Sequence, residues 1–365
     1  MNDNRVARHF LSQGLVHLLP ALATTFLLTF GGLNCKKSLP VEPPGNQKDT
    51  TSHNFVWQTF TLGVGSSSTL NDVAIINDSL VYAVGEIYLN DSTGQIDPQL
   101  YNLAKLEGAM WELKRVTVDF RGNLATPPVE GIFAFSETDI WLAGSDPIHG
   151  DGQSWVDYDI RSISGFDSLD AMKCWGTSLR DMYFVGLSGS LFHYNGSSWT
   201  KIKSGTINQI NDVWGVFNSS TNREEVYCAG LDPNLQQNTV LRITNPTMVE
   251  RLPWDATIQV GSVWTKNGSP LYACGGKLYR NNSGVWREDT IEANGQFFAG
   301  AIRGIGDNDV FVVGLNSVAH YNGISWKVYP ELSIGADYYR IAMTQSMVVI
   351  VGWSETGAVA IIGRR

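Results

Sequence analysis

The chain has 365 residues, 43% of them hydrophobic and only 17% charged, which supplies a large buried core and excludes a disordered, solvating chain. A formal net charge of −9, about −10 once residues 1–34 are removed, is the wrong sign for a nucleic-acid footprint, which needs concentrated lysine and arginine. The 37 glycines fit a protein with many tight turns.

In chain order, Arg5 and Arg8 give a positive start and an apolar stretch runs from Leu15 to Leu33, ending in Gly-Gly-Leu-Asn-Cys at Cys35. This resembles a bacterial lipoprotein signal, in which the cysteine is lipidated and becomes the new N-terminus. Gly32, Leu33 and Asn34 depart from the residues that pattern prefers, and an uncleaved anchor or an ordinary signal peptide are the rival readings. The resemblance implies export and lipidation at Cys35. Lys36, standing where aspartate would retain such a protein, implies sorting to the bacterial outer membrane, periplasmic or surface-exposed. Residues 35–54 are rich in Pro, Gly, Asn and Thr and read as a flexible tether.

From residue 55 onward seven hydrophobic strands end on glycine. They are VYAVG (81–85), IWLAG (140–144), MYFVG (182–186), VYCAG (226–230), LYACG (271–275), VFVVG (310–314) and VVIVG (348–352). Their glycines are 59, 42, 44, 45, 39 and 38 residues apart. A repeat of short strands at this period predicts an all-β, seven-bladed β-propeller, one four-stranded blade per repeat. Inner-strand signals precede the glycine strands, as in NDVAI (71–75) and NDVWG (211–215). Third strands turn at Asp151-Gly152, Asn195-Gly196 and Asn322-Gly323, pairs suited to tight hairpins because both residues adopt positive φ. Outer strands then open on Trp111, Trp155, Trp199, Trp286 or Trp326, with Val249 in that place in blade four. The last repeat lacks its tryptophan strand, and FVWQTF (55–60) stands alone before the first. Pairing it with AVAII (358–362) completes the last blade and removes two open edges. The expected organisation is signal (1–34), tether (35–54) and propeller (55–365).

His149, His193 and His320 occupy one repeat position, which Lys105, Arg242 and Arg280 fill in other blades. Spread around a ring, they cannot converge on one substrate and read as architecture. The recurring tryptophans invite a sugar-stacking reading, but recurrence favours packing between blades. Cys174, Cys228 and Cys274 lie inside strands and read as small packing residues rather than a disulfide or metal site. NDSTGQID (90–97) has part of a calcium loop without its alternating acids or bidentate glutamate, and reads as a solvated loop. No cofactor and no metal are expected.

The repeat, with its HYNG-x-SW copies at 193–199 and 320–326, resembles propellers built from Asp-box (sialidase-like) repeats, bacterial lipoproteins with such copies, and photosystem assembly factors. The Asp box itself is off by one, since Asp151 stands four before Trp155. For a sialidase-like arginine triad only Arg121, Arg161 and Arg303 are on offer. Photosystem assembly factors are non-enzymatic, so the resemblance implies a membrane-anchored binding or scaffold propeller of the cell envelope with a protein or glycan partner. The alternative is a glycan-active enzyme, a sialidase-like hydrolase or lyase, using the central funnel. Specificity is expected in the material that departs from the repeat: residues 86–99, 114–128, 156–170 and 231–238. The first three come from neighbouring blades and are expected to form one lip. Arg121 and Arg161 are its positive points, and Asp91, Asp97, Asp157 and Asp159 its negative ones.

Overall fold

In the computed structural model, which describes residues 50–160, 170–232, 234, 237–245, 248–255, 257–293 and 295–365, each repeat is a four-stranded antiparallel sheet. The chain enters through β1 (Val56–Leu62), which belongs to the last blade. Blade one is β2 (Thr69–Asn77), β3 (Leu80–Ile87), β4 (Tyr101–Glu107) and β5 (Met110–Lys114). An added hairpin, β6 (Val118–Phe120) and β7 (Asn123–Ala125), leads to blade two: β8 (Val129–Ser136), β9 (Asp139–Gly144), β10 (Ile148–Gly150) and β11 (Trp155–Asp157). Blade three is β12 (Ala171–Ser178), β13 (Asp181–Gly186), β14 (Leu191–Tyr194) and β15 (Trp199–Lys201). Blade four is β16 (Gln209–Asn218), β17 (Arg223–Leu231), β18 (Thr239–Asn245) and β19 (Met248–Arg251). Blade five is β20 (Ser262–Thr265), β21 (Leu271–Cys274), β22 (Leu278–Asn282) and β23 (Val285–Glu288). Blade six is β24 (Ala301–Gly306), β25 (Asp309–Gly314), β26 (Ser317–Tyr321) and β27 (Trp326–Val328). Blade seven is β28 (Ala336–Met343), β29 (Met347–Ser354) and β30 (Gly357–Arg364), completed by β1.

The ring closes as the orphan strand predicts. β1 pairs antiparallel with β30 over its whole length, from Val56 opposite Arg364 to Leu62 opposite Ala358. Inner strands touch their neighbours all the way round, β2 meeting both β8 and β28. Side chains alternate across each strand, so every blade offers an apolar face to each neighbour. On β3, Val81 and Ala83 pack toward blade seven while Tyr82 and Val84 pack toward blade two. Seven apolar clusters result among the described residues, one in each seam.

The signature glycine has a packing cause. A Cβ on Gly85 would sit 2.2 Å from the Thr69 carbonyl oxygen, and one on Gly352 would sit 1.9 Å from that of Asp337. There the inner strand bulges by one residue and its backbone presses on the second strand. The outer tryptophans begin or nearly begin their strands and pack against the seam clusters while remaining partly exposed. Cys174, Cys228 and Cys274 are buried free thiols, whose pKa burial pushes up, out of reach of thiolate chemistry at neutral pH.

In every blade the first-to-second and third-to-fourth connections turn at one end of the ring, the turn face. Second-to-third connections and blade-to-blade linkers emerge at the other, the loop face. The expected loop ranges change in detail: 86–99 and 231–238 begin at the ends of β3 and β17. Residues 114–128 contain the β6–β7 hairpin, because Asp119 accepts the Gly122 N–H at 2.6 Å and closes a tight turn. The range 156–170 begins two residues inside β11. The signal, Cys35 and Arg161 lie outside the described residues.

Candidate functional site

Two groups of polar side chains stand apart from the apolar seams. The first lines the ring's axis. Each inner strand has an equivalent position paired with the residue before the signature glycine: Asp72, Gly131, Lys173, Asp212, Ser262, Ala301 and Arg340. Asp72 Oδ2 accepts the Ile132 N–H of the next blade at 2.8 Å, and Asp212 Oδ2 accepts the Val263 N–H at 3.1 Å. Ser262 extends the pattern, its Oγ accepting the Ile302 N–H at 3.3 Å. These side chains stitch blade to blade.

Two cations neutralise the acids by reaching past an intervening blade. Lys173 Nζ lies 2.6 and 2.5 Å from the two oxygens of Asp72. It passes Gly131, where even a Cβ would lie 2.9 Å from the Lys173 Cα. Arg303 grips Asp212 with both terminal nitrogens, at 2.9 and 2.6 Å, and its guanidinium lies 4.9 Å from the Trp214 ring. Burial alone would raise the Asp212 carboxyl, but the Arg303 charge and hydrogen bonds bring it down to about 2. Arg340 crosses the axis and donates to the Asn211 carbonyl on the opposite blade at 2.7 Å. Arg303, considered above for a catalytic triad, is thus committed to a buried ion pair. The signal for this network was present in the two inner-strand Asn-Asp-Val runs, at 71–73 and 211–213, whose aspartates interrupt otherwise apolar strands.

Within the blades themselves the histidines form a repeating pattern. His149, His193 and His320 each place Nε2 against the aspartate that opens the neighbouring second strand: Asp139 at 2.9 Å, Asp181 at 2.7 Å and Asp309 at 3.0 Å. Each ring also faces an aromatic one strand over, Trp141, Tyr183 or Phe311, with centroids 4.3 to 4.6 Å apart. Lys105, Arg242 and Arg280 sit opposite Tyr82, Tyr227 and Tyr272 in the same register. The position is architectural, as its recurrence predicts.

The second group lies on the loop face. The 116–127 excursion is clipped at both ends by one buried side chain. Asn102 donates to the Val116 and Pro127 carbonyls at 3.1 and 2.7 Å and accepts the Val116 N–H at 2.7 Å. β6 leans on β11 of blade two. Arg121, with φ of 60°, lays its guanidinium over the Phe120 ring at 4.5 Å. Its charge reaches Asp146, on the second-to-third loop of blade two, and Asp157. Burial, then Asp157 and Asp159, push the Asp146 carboxyl up to about 7 against the pull of Arg121. Burial and Asp159 hold Asp157 at about 6. Arg121, Asp157 and Asp159 are therefore brought together, with Asp146 as a fourth member that sequence reasoning missed. Nothing marked Asp146 in the sequence, because it stands in a short connection that obeys the repeat.

Asp91 and Asp97 belong to a separate protrusion. Asp91 Oδ1 accepts from the Thr93 N–H and hydroxyl and from the Gln95 N–H at 2.8, 2.6 and 3.0 Å. Asp97 accepts the Gln99 N–H at 2.9 Å. This loop leans on the linker after β1, where Val64 donates to the Tyr88 carbonyl at 2.9 Å. The two protrusions flank blade one, and their acids serve different local turns. Among the described residues no cluster of three or more His, Cys, Asp or Glu is placed to hold a metal ion.

No protein-family model and no curated protein sequence matches the chain. Solved structures share its fold. YCF48 bound to a D1 peptide superposes with a TM-score of 0.61 at 13% identity, over 85% of this chain and 97% of that one. YCF48 from Cyanidioschyzon merolae gives 0.58 at 12%, over 85% and 98%. A catalytically inactive virginiamycin B lyase from Staphylococcus aureus, solved with quinupristin, gives 0.52 at 14%, over 84% and 99%. At such identities the likeness is one of fold, the closed β-propeller.

Proposed function

We propose that this chain is a binding scaffold that takes a protein partner on its loop face. The observation that carries the reading is the division of polar groups. The axial charges are consumed in stitching blades together, whereas among the described residues the β6–β7 hairpin and the loop after β3 rise beside blade one on the loop face. YCF48, which shares the propeller fold, has been solved with a peptide, and that supports a polypeptide partner. Arg121 above Asp146, Asp157 and Asp159 gives that face a mixed-charge lip, suited to fixing the register of a polar segment.

The finer reading is an exported protein, lipidated at Cys35 and held at the bacterial outer membrane, with its partner, protein or glycan, in the cell envelope. The test shortens both protrusions, replacing residues 90–96 and 119–124 by minimal turns and keeping the buried Val118. Partner recovery by cross-linking in native membranes should be lost while the melting temperature holds. Undiminished recovery sinks the reading. Glycan cleavage by the purified protein, abolished by Asp146→Asn, would favour an enzyme instead.

A further inference from the structure

Ahead of β1, residues 50–55 lie across the turn face of blade six. The Thr51 N–H donates to the Asn322 carbonyl at 3.3 Å, and its hydroxyl to the Asn308 carbonyl at 2.6 Å. The His53 carbonyl accepts the Tyr329 hydroxyl at 2.8 Å and the Lys327 ammonium at 3.4 Å. The His53 ring meets His320 edge-on, and the two Nδ1 atoms are 2.9 Å apart.

The proton arrangement of this contact is fixed by its surroundings. His320 Nε2 lies 3.0 Å from Asp309, a carboxylate that only accepts, so Nε2 carries hydrogen. The other oxygen of Asp309 is held by the Arg365 guanidinium, which also covers the Phe55 ring. A neutral His320 therefore offers a bare lone pair at Nδ1, and His53 donates its Nδ1–H to it. A second proton on His320 would set two donors head to head. On His53 it would go to Nε2, a buried nitrogen with no acceptor among the described residues. The remaining charged groups facing the pair, Lys327 and Arg365, oppose added positive charge, and Phe55, Phe311 and Tyr329 supply apolar walls. Burial, then His320 and Lys327, bring the His53 pKa down to about 4. Burial lowers His320 as well, against the pull of Asp309.

We propose that His53 and His320 form a proton-released clamp. With both rings neutral it holds residues 50–55 on blade six, and acid frees that segment while the ring stays closed. The released histidine takes a proton near 6.5, whereas the clamped one resists until about 4. Clamping is therefore complete above about pH 6.5 and weakens as pH falls from there toward 4, by at most about tenfold per pH unit for each ring. β1 and β30 carry no histidine or carboxylate, so their pairing is indifferent to this range. Release would add about 20 Å of reach to whatever precedes Thr50. None of this depends on what the loop face binds, nor on a lipid at Cys35.

Hydrogen exchange of the full chain, corrected for intrinsic rates, provides the test. From pH 7.5 to 5 the Thr51 amide should lose about tenfold or more of its protection while β1 amides keep theirs. In His53→Phe, which keeps the aromatic contact and removes one of the two titrating rings, Thr51 protection should depend on pH clearly less than in the wild type. Protection at Thr51 that is unchanged across this range in the wild type, or that is lost together with β1, overturns the clamp. So does a His53 ring signal titrating at an ordinary 6.5 in the intact protein.

Discussion

Asp212 joins three blades by itself. It sits on β16, accepts the Ser262 hydroxyl at 2.6 Å and the Val263 N–H from β20, and holds Arg303 from β24. Losing one member of such a buried pair strands the other, at about 3–5 kcal/mol, which is far more than a surface ion pair contributes. Asp146 illustrates the opposite sign. Its carboxyl is raised to about 7 from an ordinary 3.8, so the folded chain holds a proton that the unfolded chain has released. Its contribution therefore turns unfavourable as pH rises from about 4 to about 7. Asp146→Asn should raise the melting temperature above pH 7 and leave it unchanged near pH 4. Thermal melts at the two pH values check this, and equal shifts at both would rule out the titration.

At the scale of elements, β1 has two tasks. It completes the blade that holds the C-terminal strand, and its flanking segment lies on blade six. Trp57 and Phe55 pack into the seam between blades six and seven, and Phe60 and Leu62 into the seam between seven and one. Removing residues 50–60 exposes the β30 edge and opens both seams together. The melting temperature should fall by more than about 5 °C and the transition should broaden, as calorimetry would register. A deletion variant that melts like the parent would mean the ring closes without its strap. The β6–β7 hairpin contrasts with this. It hangs on Asn102 and leans on β11, with Val118 alone of its residues buried in the seam between blades one and two, so its tip beyond Val118 carries none of the ring's closure.

The whole ring is nearly regular in its seams and irregular only at its ends. On the loop face, two protrusions flank blade one. On the turn face, the incoming chain crosses blade six. Rigid sheets keep the lip residues at fixed separations. If the anchor is the lipidated Cys35, Cys35→Ala should move the protein from the membrane to the soluble fraction without changing its melt. Fractionation of cells tests this, and retention of the variant in the membrane would refute lipid anchorage at that residue. Two acyl chains suffice for stable attachment where one does not.

The sequence by itself determined the architecture, because a propeller writes its period into the chain. Strand alternation, the glycine that admits the bulged inner strand, Asn-Gly turns and the outer tryptophan recur in register. An orphan strand at one end and a truncated repeat at the other leave one way to close. It also determined that His149, His193 and His320 do not converge on one site, since equivalence by repeat places them apart in space. What it could not determine is which non-repeating residues meet. Lys173 reaches Asp72 across 101 positions and Arg303 reaches Asp212 across 91, contacts fixed by the diameter of the ring and not by any local pattern. Asp146 joins Arg121 and Asp157, while Asp91 and Asp97 turn inward on their own loop, because a hairpin leans toward the blade it packs on. His53, counted with the tether, finds His320 only once β1 has taken its place in the last blade. Local chemistry fixes each strand, but the charges and loops acquire partners only through the closure of the ring.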